Sequence, residues 1–150
     1  MAAMVKTQKR LRLCIALIVC NVLFIWGNSA LPAQISGAIS SFVRDIVSLL
    51  LGGGSGSDAS FGDGILRKIA HFMEFACLGA ALCWLCSMLK THRSWAMACG
   101  FGVACVDETI QLLVPGRGPR FTDVLLDSAG VVCGIALLIA GYAIYQKKKK

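Results

Sequence analysis

Four long apolar runs occupy most of the sequence, at residues 13–27, 69–89, 94–114 and 124–145. A helix needs about 20 largely apolar residues to cross the hydrocarbon core of a bilayer. The last three runs reach that length, and the first reaches it when the interfacial residues up to position 31 are included. Because only 15% of the residues are charged and 57% are hydrophobic, an ordinary water-soluble domain and a disordered chain are both excluded. We therefore predict an all-α membrane protein with four transmembrane helices.

The segments around these runs divide the chain further. Residues 35–51 place apolar side chains on one helical face and polar side chains on the other, which predicts an interfacial amphipathic helix. The first run is also similar to a secretory signal, but no soluble domain follows it, so we expect an uncleaved helix. The expected organisation is a basic cytoplasmic N-terminus (1–12), a first transmembrane helix (13–31), the amphipathic helix (35–51), a Gly/Ser linker (52–64), a three-helix core (65–145) and a basic cytoplasmic tail (146–150).

The charges of the loops predict how the helices are oriented. Four cations precede the first run, Lys90 and Arg93 lie between the second and third runs, and four lysines end the chain. Cations favour the cytoplasmic side of a membrane, so both termini and the 90–93 loop are expected there. The cations have no interleaved aromatic residues, and we therefore do not expect nucleic acid as a partner. The eight cysteines all lie inside apolar runs, which indicates packing rather than disulfides or metal binding.

Ionisable residues gather at one level of three predicted helices. Five of the eight acidic residues lie in or at the edge of the apolar runs, although a charge in hydrocarbon is unfavourable unless it is paired or hydrated. In an antiparallel arrangement these residues all fall near the outer ends of their helices. A Gly130-x-x-x-Gly134 pair favours close helix packing beside them. The candidate polar site comprises Lys68, His71, Glu74, Asp107, Glu108, Gln111, Arg117, Arg120, Asp123 and Asp127.

Several kinds of function fit such a polar site. A site that binds or modifies an envelope lipid would use His71 as a base, and Arg117 with Arg120 would hold phosphate. No suitably placed nucleophile is present, so the catalytic residues stay unassigned and enzyme activity stays uncertain. Ion-coupled transport is disfavoured because the polar groups stop halfway across the bilayer. The structural alternative is a membrane scaffold in which an ion-pair network only orients the helices.

A divalent metal ion is a further alternative for the same region. Carboxylates suit hard cations. The residues that could hold such an ion are His71, Glu74, Asp107, Glu108 and Asp123. Nearby lysine and arginine side chains would compete for the same oxygens, so we expect no metal and no cofactor. The partners expected from these residues are the lipid bilayer and an envelope lipid.

The order and spacing of these residues resemble the VanZ-like family over residues 65–140. The motifs are Lys68-x-x-His71-x-x-Glu74-Phe75, Asp107-Glu108-x-x-Gln111, Pro115-x-Arg117 and Arg120-x-x-Asp123-x-x-x-Asp127-x-x-Gly130-x-x-x-Gly134. The family consists of small multispanning bacterial proteins, and its founding member is linked to low-level resistance to the glycopeptide antibiotic teicoplanin. The resemblance implies a multi-pass protein of the bacterial cell membrane with an envelope role and with an envelope lipid or cell-wall precursor as its partner. It supplies no reaction. Asp127 departs from the common Asn, and Phe75 from a common Tyr.

Overall fold

The part of the chain that the structure describes is helical, with no strand. The computed structural model describes residues 2–32, 34, 35, 38, 41, 42, 46, 59–116 and 120–149. Its helices are α1 (Ala2–Ala30), α2 (Ala59–Leu89), α3 (Ser94–Leu112) and α4 (Phe121–Lys148). The all-α prediction is confirmed. The predicted amphipathic helix at 35–51 falls largely outside the described residues, as do positions 52–58 of the predicted linker, whereas positions 59–64 form the start of α2.

Three of the described helices are long and apolar enough to cross a membrane, over Val5–Ala30, Ile65–Leu89 and Phe121–Lys148. Large side chains such as Leu23 and Leu137 are exposed on them, as expected for surfaces that contact lipid. The fourth helix, α3, has 19 residues and is about 28 Å long at 1.5 Å per residue. Its second half carries two carboxylates and a glutamine, and α3 is not among the three described helices that are long and apolar enough to span a membrane. A membrane crossing by α3 therefore stays a prediction.

A short turn makes α2 and α3 antiparallel neighbours. Lys90 adopts a left-handed conformation (φ 56°), and the backbone N–H of Thr91 donates to the carbonyl oxygen of Cys86 at 3.0 Å. This pattern satisfies a carbonyl that would otherwise lack a partner at the end of α2. Because α3 begins at Ser94, the chain reverses within four residues.

The closest packing in the bundle is between α2 and α4. A Cβ atom added at Gly134 would overlap the carbonyl oxygen of Ala76, and one added at Gly130 would lie 2.6 Å from the carbonyl oxygen of Phe72. On α2, Gly79 faces the backbone of α4 in the same way. The absence of side chains at these positions lets the two backbones touch. Sequence analysis identified the two glycines of α4 but not their counterpart on α2.

Helix α2 lies at the centre of the bundle, where it packs against α1, α3 and α4. Its side chains Phe75 and Leu78 are fully buried, and they form the core together with Val131 of α4 and Ile25 of α1. Any polar residue near Phe75 on the inner side of α2 is therefore surrounded by three other helices. This placement decides the environment of the candidate site.

Candidate functional site

The up-and-down course of the helices brings their polar residues to one end of the bundle. Polar residues lie at the end of α1, in the first half of α2, at the end of α3 and at the start of α4. Because successive helices run in opposite directions, these four stretches are neighbours in space. The predicted set came from three helices, and the structure adds a fourth.

Helix α1 contributes Asn28 and Ser29. The Asn28 side-chain amide donates to Oε1 of Glu74 at 2.9 Å, and Nε2 of Gln111 donates to Oγ of Ser29 at 3.2 Å. These two bonds connect α1 to α2 and to α3. Sequence analysis did not place either residue in the site. The available indication was an Asn-Ser pair at the end of an apolar run that must lie at the level of the other polar groups.

Asp107 is held in a fixed position at the centre of the site. It is completely buried. The Nε2 atom of Gln111, which also donates to Ser29, donates to Oδ2 of Asp107 at 2.9 Å. Asp107 and Gln111 are four residues apart and so share one face of α3. The glutamine thus orients the carboxylate while it contacts α1.

His71 lies between the acids of α2 and α3. Its Nδ1 atom is 3.9 Å from Oε2 of Glu74 and 4.0 Å from Oδ2 of Asp107. Helix α4 adds Asp127, which is 3% exposed. His71, Asp107 and Asp127 each place a potential ligand atom within 4.8 Å of those of the other two residues. We call these three residues the interior cluster.

Three charged residues lie nearer the solvent, and we call them the rim: Lys68, Arg120 and Asp123. The Nζ atom of Lys68 is 3.3 Å from Oδ1 of Asp123, with side-chain exposures of 48% and 21%. Arg120 is exposed, and its backbone N–H, rather than its guanidinium group, donates to Oε1 of Glu108. A backbone donor thus accounts for one oxygen of this buried acid. The other predicted arginine, Arg117, lies outside the described residues.

The rim and the interior cluster differ in the ligands they can attract. The interior cluster joins one imidazole to two buried carboxylates, a donor set that suits a cation. The rim presents Lys68 of α2 and Arg120, the residue before α4, beside the N-terminus of α4, where the helix dipole favours an anion. A partly exposed ion pair such as Lys68–Asp123 contributes only about 0–1 kcal/mol, so an anionic ligand can displace it.

Comparison with known proteins identifies one family. The family model of VanZ/LLP1 matches residues 13–144, which is most of the chain. This range includes the apolar part of α1, which the sequence motifs alone did not cover. No curated protein and no solved structure matches the chain significantly.

Proposed function

We propose that the chain, which belongs to the VanZ/LLP1 family, is a multi-pass protein of the bacterial cell membrane that binds the phosphate-bearing headgroup of an envelope lipid or cell-wall precursor. Three apolar helices support the membrane location, and α3 would be the fourth crossing. The loop charges favour cytoplasmic termini. With that orientation the rim faces outward at the level of the lipid headgroups.

The rim is the observation on which this proposal rests. Lys68 and Arg120 come from different helices, and both side chains are exposed at the same end of the bundle. Asp123 positions the ammonium group of Lys68 without burying it. Each lysine or arginine near a membrane surface contributes about 1 kcal/mol to the attraction of an anionic group. Two such residues therefore contribute about 2 kcal/mol, which corresponds to roughly a 30-fold change in affinity.

The test measures binding of farnesyl phosphate, a short isoprenyl phosphate, to the full chain in detergent. We expect it to bind more tightly than farnesol, because only the phosphate can contact the rim. In the double variant Lys68→Ala, Arg120→Ala the affinity should fall roughly 30-fold. The matched control is Lys147→Ala, Lys148→Ala, which removes two exposed cations from the opposite end of α4.

The control separates a site from general electrostatic attraction. If both double variants lose the same affinity, the phosphate responds to total charge and the rim is not a binding site. Equal binding of farnesyl phosphate and farnesol would also contradict the proposal. Mass profiles of the membrane lipids with and without the protein distinguish binding from chemistry, because only an enzyme would change the headgroup population.

A scaffold function is the second candidate, and the hydrogen bonds from α1 favour it. Asn28 and Ser29 connect α1 to Glu74 and Gln111, so part of the polar network joins helices. A protein that acts only as a scaffold would need this network but not the exposed cations of the rim. Retention of all ligand binding in the Lys68→Ala, Arg120→Ala variant would therefore favour the scaffold.

Family membership supports a role in tolerance of teicoplanin. An envelope protein that holds a lipid-linked precursor would alter how much of it a glycopeptide antibiotic can reach. In a sensitive bacterial host, expression of the chain should then raise the minimum inhibitory concentration of teicoplanin. The Lys68→Ala, Arg120→Ala variant, expressed at the same level, should not do so.

A further inference from the structure

The interior cluster combines ligand types from three separate helices. His71 belongs to α2, Asp107 to α3 and Asp127 to α4. Their exposures are 9%, 0% and 3%, and their potential ligand atoms all lie within 4.8 Å of one another. Bonds to zinc are about 2.0–2.2 Å long, so two ligands of one ion lie at most about 4.4 Å apart. Side-chain shifts of less than about 1 Å would therefore complete a coordination sphere.

Two further acids lie close enough to the interior cluster to interact with it electrostatically. The charges of Glu74 and Glu108 both act on Asp127. Glu108 is 92% buried, since only 8% of its surface is exposed, and its Oε2 atom accepts no hydrogen bond from any residue that the structure describes. The Oε2 atom of Glu74 is also buried and accepts no hydrogen bond from the described residues. A buried carboxylate oxygen without a donor is unfavourable, and either a proton or a bound cation can compensate for it.

Lysine and arginine side chains close to the acids would compete with a metal ion for the carboxylate oxygens. Within the described ranges, the side chain of Lys68 forms a salt bridge with one acid of the candidate site. That acid is Asp123, which lies on the rim. Arg120 contributes its backbone N–H to Glu108. Among the described residues, the contacts of Lys68 and Arg120 with acids are thus made to Asp123 and Glu108, outside the interior cluster.

We propose that His71, Asp107 and Asp127 bind one divalent transition-metal ion of the Zn²⁺ class. Imidazole selects such ions over Mg²⁺ and Ca²⁺, which prefer oxygen ligands alone. The hydrogen bond from Gln111 fixes the carboxylate of Asp107, which is the usual role of a residue that supports a metal ligand. Three protein ligands leave a coordination position for water. This site does not depend on headgroup binding at the rim.

The experiment loads the full chain, purified in detergent and stripped with a chelator, with Zn²⁺. The bound zinc is counted by elemental analysis, and its affinity is measured by competition with a chromophoric chelator. We expect one zinc ion per chain in the wild type. The variants Asp127→Asn and His71→Ala should lose affinity by more than the 10–100-fold typical for loss of a residue that only supports a ligand. Asp123→Asn is the matched control, because it makes the same change one turn earlier on α4 and should retain the ion.

The free cysteines require a second measurement. Cobalt bound by nitrogen and oxygen ligands lacks the intense near-ultraviolet charge-transfer band of cobalt thiolates, so Co²⁺-loaded wild type should lack that band. The proposal is overturned if the wild type binds no zinc, if both ligand variants retain it, if Asp123→Asn loses it equally, or if the cobalt spectrum is that of a thiolate site. If Asp127→Asn does not fold, His71→Ala and the cobalt spectrum decide. Retention of zinc by Lys68→Ala, Arg120→Ala would show that metal binding and headgroup binding are separable.

Discussion

Replacement of Gly134 by alanine tests the closest contact in the bundle. The new Cβ atom would overlap the carbonyl oxygen of Ala76, which belongs to the backbone of α2 and cannot rotate away. One of the two helices must therefore shift. Forcing extra atoms into a well-packed interior typically destabilises a protein by about 1–3 kcal/mol.

Gly141→Ala is the control, because it makes the same change on the same helix at a position where no other described part of the protein, apart from the adjacent turns of α4, lies within 4 Å of the new Cβ. Each substitution gains about 0.8–1 kcal/mol of helix propensity, so that gain cancels in the comparison. The difference between the variants should be the packing term alone. For a chain of this size it corresponds to a melting temperature roughly 2–12 °C lower for Gly134→Ala.

The assay heats both variants in the same detergent and measures the fraction that stays monodisperse by size-exclusion chromatography. Comparison of the two alanine variants, rather than of each with the wild type, removes the effect of losing a glycine. Equal melting temperatures would refute the reasoning, because they would mean that α2 and α4 do not approach each other as closely as the Gly134–Ala76 contact requires.

Two further predictions concern α1 and the membrane orientation. Asn28→Ala removes the donor to Oε1 of Glu74 and should lower the free energy of unfolding by about 1–3 kcal/mol, seen as a lower melting temperature in the same heating assay. Asn21→Ala is the control and should have a smaller effect, because Oδ1 of Asn21 has no hydrogen-bond partner in the described part of the chain. A reporter that fluoresces only in the cytoplasm, fused after Lys150, should be fluorescent, and a dark fusion with normal expression would contradict cytoplasmic termini.

The helical architecture could be predicted because its cause is local. Apolar runs of about 20 residues favour membrane helices wherever they occur, and the depth of each acid in its run follows from counting residues. His71, Asp107 and Asp127 could be assigned to one level of an antiparallel bundle by this counting. Their mutual distances could not, because these depend on the rotation of each helix about its axis.

The details that sequence reasoning missed depend on packing between distant segments. Gly79 becomes informative only when its partner on α4 is known, since a single glycine in a helix has many explanations. The backbone N–H of Arg120 donates to Glu108, a contact that the sequence analysis did not predict. The type of a side chain does not predict which contact the backbone N–H of the same residue makes. Asn28 was missed because α1 was considered separately from the later helices.

The two helices that pack most closely, α2 and α4, are not consecutive in the chain. Because α3 lies between them in the chain, α2 and α3 are both synthesised before α4. Helix α2 therefore lacks the helix against which it packs most extensively until α4 has been made. Helix α4 supplies both the glycines that pack against α2 and the aspartate of the interior cluster. The interior cluster therefore cannot form before α4 has been synthesised, and termination before Phe121 would leave His71 and Asp107 without Asp127.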